Sequence, residues 1–149
     1  MVNGAGMVGH GQLFEQMHLL TDELALQDVY LLGHQPQPEV ARSHNAADVS
    51  VVTSWVEPLG LVAVEALAYG TPVVATHEGG LPDFIDHRVG TLVPVDDHAA
   101  LAETIIQEVK NDTQATKGLY AAQYAAKGFS WAGQVPKMAA LYESALEDA

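Results

Sequence analysis

The stretch Ser54-Trp55-Val56-Glu57-Pro58-Leu59-Gly60-Leu61-Val62-Ala63-Val64-Glu65-Ala66-Leu67-Ala68-Tyr69-Gly70 runs between two short apolar segments, Val49 to Thr53 and Pro72 to Ala75. Both segments are rich in valine and read as buried strands. Gly60 to Tyr69 reads as a helix that stops at Gly70, a glycine suited to the left-handed turn after a helix end. Glu57 therefore falls at the carboxyl end of a strand, just before a helix begins. Pro58 suits a first helical turn, where a missing N–H costs nothing. Gly60 leaves the backbone bare, so the N–H groups of the helix start can meet an anion. Glu65 is harder to place. At about 100° per residue it projects between Leu61 and Tyr69, and no arc of this helix is polar. A helix apolar all round is a buried one, and a buried carboxylate is costly unless hydrogen-bonded. Ribose or sugar hydroxyls would be suitable donors. The competing reading has Glu65 pointing to water from a half-covered helix and Glu57 as an ordinary loop acid.

The same alternation extends along the chain in both directions. Met7-Val8 reads as a short strand ending in Gly9-His10-Gly11, and Gln12 to Leu26 repeats Leu13, Met17, Leu20 and Leu24 at a helical period. Val29 to Leu32 reads as a strand closed by Gly33, and Pro38 to Ala47 as a short helix. Thr91 to Val93 is a further strand. Asp96 to Val109 is a helix whose acidic start suits the helix dipole. Two more helices are expected at Ala115 to Ala126 and Gln134 to Leu146. Short apolar strands separated by helices predict a parallel sheet covered on both faces, a three-layer Rossmann-like α/β domain occupying residues 1–149. Residues 1–6 read as a flexible leader. Ligands of such sheets bind beyond the carboxyl ends of the strands, here the segments after Val8, Leu32, Thr53 and Ala75.

Composition narrows the function. The 149 residues carry 19 acidic and 6 basic side chains, a formal net charge of -13. Nucleic acid and anionic membrane surfaces are disfavoured as partners, because both are held by Lys and Arg. No apolar run approaches the roughly 18 residues that span a bilayer. There is no cysteine, so disulfides and thiolate zinc sites are excluded. No secretory leader is visible, and the cytoplasm is the expected compartment.

The setting Glu57-Pro58-Leu59-Gly60, Glu65-Ala66-Leu67-Ala68-Tyr69-Gly70-Thr71-Pro72-Val73-Val74-Ala75, with two glutamates separated by seven residues, resembles the signature of the group 1 (family 4) retaining glycosyltransferases. Met7-Val8-Gly9-His10-Gly11, Val29-Tyr30-Leu31-Leu32-Gly33, Ala46-Ala47-Asp48-Val49, Gly79-Gly80-Leu81-Pro82-Asp83 and Phe129-Ser130-Trp131 are similar to further segments of that family, in the same order. The resemblance implies the C-terminal, donor-binding half of a two-domain GT-B fold. It implies a nucleoside-diphosphate sugar as substrate, and neither a cofactor nor a metal. Glu57 would contact the transferred sugar near its anomeric centre as the catalytic residue, and Glu65 would accept from the ribose hydroxyls. Pro58, Leu59, Gly60 and Leu61, together with Gly9, Gly33 and His34, would line the donor, and Gly79 and Gly80 would belong to a loop near the donor sugar.

The family's donor domain begins with a strand and helix whose Arg and Lys clamp the diphosphate. Here six residues precede the second strand and none is basic; the first Lys or Arg is Arg42. The acceptor-binding N-terminal domain is missing as well. Weak donor binding and no turnover by the chain alone are the resulting expectations. The alternative is a non-catalytic Rossmann-like interaction module that has lost diphosphate binding.

Other signals read more blandly. Gly4-Ala5-Gly6-Met7-Val8-Gly9 satisfies a dinucleotide-binding pattern, but only Met1-Val2-Asn3 precedes it where a strand is required. The seven histidines show no short metal-ligand spacing. Thr76 to Asp83 is either a loop near the donor sugar or a turn in which glycines supply positive φ. Met138, Leu141, Tyr142 and Leu146 form a helical apolar stripe. Left exposed, it favours self-association.

Overall fold

The computed structural model describes residues 10–111 and 114–147. The expected Met7-Val8 strand, the leader, the Gly4 to Gly9 pattern and the candidate Gly9 lie outside them. The chain divides into two compact units, Met1–Ser43 and His44–Ala149.

The first unit holds α1, His10–Glu23, and the start of α2, Gln37–Ala46. Helix α1 ends earlier than its apolar repeat suggests. Leu26 N–H donates to Thr21 C=O (3.0 Å) and Ala25 N–H to Asp22 C=O (3.0 Å), with Ala25 at φ 47°. Paired 6→1 and 5→2 bonds around a left-handed residue terminate a helix. Val29 to Leu32 corrects an expectation, because it carries no strand. Val29, Tyr30 and Leu32 stay exposed, and a strand exists only where a neighbour completes its ladder.

The second unit is built on three parallel strands in the order β1-β2-β3: Ser50–Val52, Val73–Thr76 and Gly90–Val93. Helix α3, Leu61–Ala68, connects β1 to β2, and a single 3-10 turn, Leu81–Asp83, lies between β2 and β3. Then come α4, His98–Val109, α5, Gln114–Phe129, and α6, Trp131–Glu147. Strand β2 is buried along its whole length. Val73 and Ala75 join the core cluster with Ala63, Ala66 and Leu67 of α3 and Ala121 and Ala125 of α5, whereas Val74 is buried outside that cluster. Alternate strand residues point to opposite faces, so both faces of β2 are covered, as a parallel sheet requires. The unit is a Rossmann-like α/β domain.

Element ends follow local chemistry. Gly70, at φ 77°, closes α3 through Thr71 N–H to Ala66 C=O (3.0 Å) and Gly70 N–H to Leu67 C=O (2.9 Å). Asp97 caps α4 by accepting from Ala100 N–H at 2.9 Å. Helices α5 and α6 run three residues further toward each other than expected, meeting at Ser130. Its hydroxyl oxygen accepts from Gly133 N–H at 3.1 Å, the bond that starts α6. A buried ion pair ties α4 to α5: Lys117 Nζ lies 2.6 and 2.8 Å from the two oxygens of Glu108, which also accepts from Thr91 Oγ1 of β3 at 2.7 Å.

Candidate functional site

Two loops leave the carboxyl edge of the sheet side by side: Thr53–Gly60 after β1, and His77–Gly80 after β2. Their backbones touch. Gly80 N–H donates to Glu57 C=O at 2.9 Å. Gly79 sits at φ 57°, and a Cβ there would lie 2.0 Å from the Glu57 carbonyl oxygen. A Cβ at Gly80 would lie 2.5 Å from the Pro58 carbonyl oxygen. Only residues without a side chain allow this approach. Gly60, buried and at φ 81°, is held against Leu81, whose Cδ2 would be 2.6 Å from an added Cβ. The structure thus brings Glu57, Pro58, Leu59, Gly60, Gly79 and Gly80 into one cluster.

The half-buried Glu57 carboxylate is held from both sides. Gly60 N–H donates to Oε1 at 2.9 Å and Ser54 Oγ donates to Oε2 at 3.2 Å. Two sequence expectations change as a result. Pro58 is not in the first turn of α3, which starts three residues later, because the Glu57 side chain bends the chain into a turn that Gly60 completes. The Gly60 amide is likewise engaged by Glu57 rather than open to an anion. The start of α3 has no side-chain cap of its own, and the loop cluster ends where that helix begins. Trp55, Val56, Leu59 and Leu61 make the cluster's rim exposed and apolar.

Glu65 lies one turn further along α3. The helix is half-covered rather than buried all round: Ala63, Ala66 and Leu67 are buried, while Leu61 and Tyr69 are exposed and Glu65 is half-buried. Residues 65 and 69 share a face at i, i+4. On that face sits His44, buried at 6% exposure, its ring stacked on Tyr69 at 6.4 Å between centroids. The His44 carbonyl accepts from Thr71 Oγ1 at 2.6 Å, and no hydrogen-bond partner for its Nε2 is found among the described residues. Burial pushes the His44 imidazole below its ordinary pKa, and the negative charge of Glu65 partly opposes this. Sequence reading gives no individual role to His44 or Ser54, and takes Thr76 only as the start of the segment that runs to Asp83. A histidine on a short helix and hydroxyls at strand ends are the only signals they offer.

Gly33 and His34 belong to the first unit. Gly33 is left-handed, φ 62°, with the Phe14 ring in contact at 3.6 Å from an added Cβ, and His34 is exposed. Among the described residues no group of three or more potential metal ligands clusters, and no helix is long and apolar enough to cross a membrane. An open hollow of about 470 Å³, lined by Tyr69, Gly70, Pro72 and Gly118, lies at the amino end of β2, at the opposite end of the sheet from the Glu57 cluster.

A parallel sheet with paired glycine and glutamate loops at its carboxyl edge defines a Rossmann-like domain, a class in which ligands bind beyond that edge. The chain belongs to the family described as glycosyl transferases group 1, whose profile matches residues 5–128. It is similar to D-inositol 3-phosphate glycosyltransferase of Corynebacterium jeikeium (strain K411), 40% identical over 144 residues, which cover 95% of this chain and 33% of that protein. The enzyme of the same name from Mycolicibacterium smegmatis is 42% identical over 131 residues, 87% of this chain and 30% of that one. The chain therefore spans about a third of the length of these curated relatives. Among solved structures, sucrose-phosphate synthase from Thermosynechococcus elongatus superposes with a TM-score of 0.79 at 34% identity, over 91% of this chain and 35% of that one. Anabaena HepE in complex with UDP-glucose superposes with a TM-score of 0.79 at 28% identity, over 91% and 38%.

Proposed function

We propose that this chain is the nucleotide-sugar-binding part of a retaining glycosyltransferase, acting on a nucleoside-diphosphate sugar without a metal or other cofactor. The observation that carries this reading is the joined cluster of Glu57 and Gly79-Gly80 at the carboxyl edge of the sheet. HepE, solved with UDP-glucose and with UDP and glucose, supports a uridine diphosphate sugar as the first donor to try. Glu65 accepts from the ribose hydroxyls. The amides that start α3 face the diphosphate. Glu57 lies next to the anomeric carbon, where a carboxylate stabilises developing positive charge, as in glycoside chemistry.

Three of the six basic side chains already have acidic partners. Arg42 is paired with Glu39, Arg88 with Asp86 and Lys117 with Glu108. Stabilising a charged leaving group is a major part of such catalysis. Donor binding by this chain alone is accordingly weak and turnover absent. An acceptor-binding N-terminal domain is the partner it requires, and the cytoplasm is its compartment.

The test is calorimetric titration of the chain with UDP, GDP and ADP beside a Glu65→Ala variant. Binding of one nucleotide, weakened about tenfold or more in the variant, supports the reading, since a hydrogen bond to a charged group contributes about 1.5–3 kcal/mol. Binding of none of the three favours an interaction module instead.

A further inference from the structure

Thr76 is the last residue of β2 and is 5% exposed. The three residues before it, Val73, Val74 and Ala75, are apolar, so a hydroxyl here is an exception. A buried hydroxyl is costly unless bonded. Its partner is the Ser54 carbonyl oxygen, 2.6 Å from Thr76 Oγ1. The β1–β2 ladder ends at Val52↔Ala75. Just beyond it β1 leaves the sheet, and the Thr76 side chain supplies the tie that the backbone no longer makes. Ser54 is also the residue whose hydroxyl holds Glu57 Oε2, at 3.2 Å. A continuous connection therefore runs from the buried strand end, through Ser54, to the carboxylate. The opposite carboxylate oxygen is held by Gly60 N–H at 2.9 Å.

We propose that Thr76 is a positioning residue, which through Ser54 sets the direction of the Glu57 carboxylate toward the donor sugar. The proposal rests on the reading of Glu57 as the group that faces the sugar. It adds that this orientation is set by β2 rather than by the β1 loop alone. Valine is close to isosteric with threonine and suits a strand, so Thr76→Val removes the tie and little else. Thr76→Ser keeps the hydroxyl.

Two measurements on this chain test it. The first is hydrogen exchange of the Gly60 amide, which reports whether Glu57 still holds that N–H. The second is the ratio of UDP-glucose to UDP affinity by calorimetry. In Thr76→Val the Gly60 amide exchanges about tenfold faster while the Val74 and Ala75 amides of β2 do not change. The affinity ratio shifts about tenfold against UDP-glucose, UDP affinity stays the same, and Thr76→Ser restores both readouts. Unchanged Gly60 exchange, or faster exchange throughout β2, overturns the positioning role. Intact UDP binding with an unshifted ratio overturns it too, and leaves the donor-site reading standing. A wild-type chain that binds neither UDP nor UDP-glucose overturns the donor-site reading itself, and the sugar-facing role with it.

Discussion

Gly79 passes so close to Glu57 that any side chain at 79 would enter the Glu57 carbonyl oxygen, 2.0 Å from the first carbon. The contact is between backbones, so repacking side chains cannot relieve it. Gly79→Ala must push the two loops apart, and its left-handed backbone alone costs about 1–2 kcal/mol. The expected outcome is a lower urea midpoint, together with lost protection of the Gly80 amide that donates to Glu57. A variant that keeps both would show that the loops are not locked together.

The Glu108–Lys117 pair is nearly buried on both sides, with side-chain exposures of 8% and 11%. Removing one partner leaves a charge buried without its counterpart, which costs about 3–5 kcal/mol. Lys117→Met is expected to fall in that range by chemical denaturation. The double variant Glu108→Met, Lys117→Met is expected to recover most of the loss, because the pair's burial carries its own desolvation cost. Equal destabilisation by the single and double variants would rule out this account.

His44 makes stability depend on pH. Its folded pKa lies below the ordinary 6.5, so the unfolded chain binds the proton more readily. Stability is therefore full above about pH 6.5 and declines as pH falls from there through the folded value. His44→Phe keeps a ring against Tyr69 and should flatten that part of the profile. Asp86 acts in a separate window. Arg88 holds its carboxyl at about 2, below the ordinary 3.8, so its small, solvent-screened contribution is present above 3.8 and lost as pH falls through about 2. Urea midpoints between pH 4.5 and 7.5 isolate the histidine; an identical slope in His44→Phe would exclude it.

Helix α6 buries none of its residues, and Val135, Met138, Leu141, Tyr142 and Leu146 are all exposed. An apolar stripe of this kind promotes association. Sedimentation of the chain at increasing concentration is expected to show self-association, which Leu141→Glu weakens. A wild-type chain that remains monomeric throughout would refute this.

Much of the domain was legible from local pattern. Val49 to Thr53, the helix ending at Gly70, Val73 to Ala75 and the acidic start of α4 each carry their own signal, in β-branching, in a left-handed glycine or in a capping aspartate. Those properties act over a few residues and survive in the sequence. Val29 to Leu32 shows the limit, because apolar content alone does not make a strand. The glutamate pair was also legible, as spacing and as family resemblance. Contacts between segments distant in sequence were not. Glu57 takes up the Gly60 amide that seemed open to an anion, and moves Pro58 out of the helix. Gly79 and Gly80 turn out to be required by the backbone of Glu57 and Pro58, some twenty residues earlier. Thr76 reaches Ser54 across 22 residues, and Thr71 reaches His44 across 27. Which donor meets which acceptor, and which glycine lies against which carbonyl, depends on how the chain closes on itself in three dimensions. Only the tertiary structure decides that.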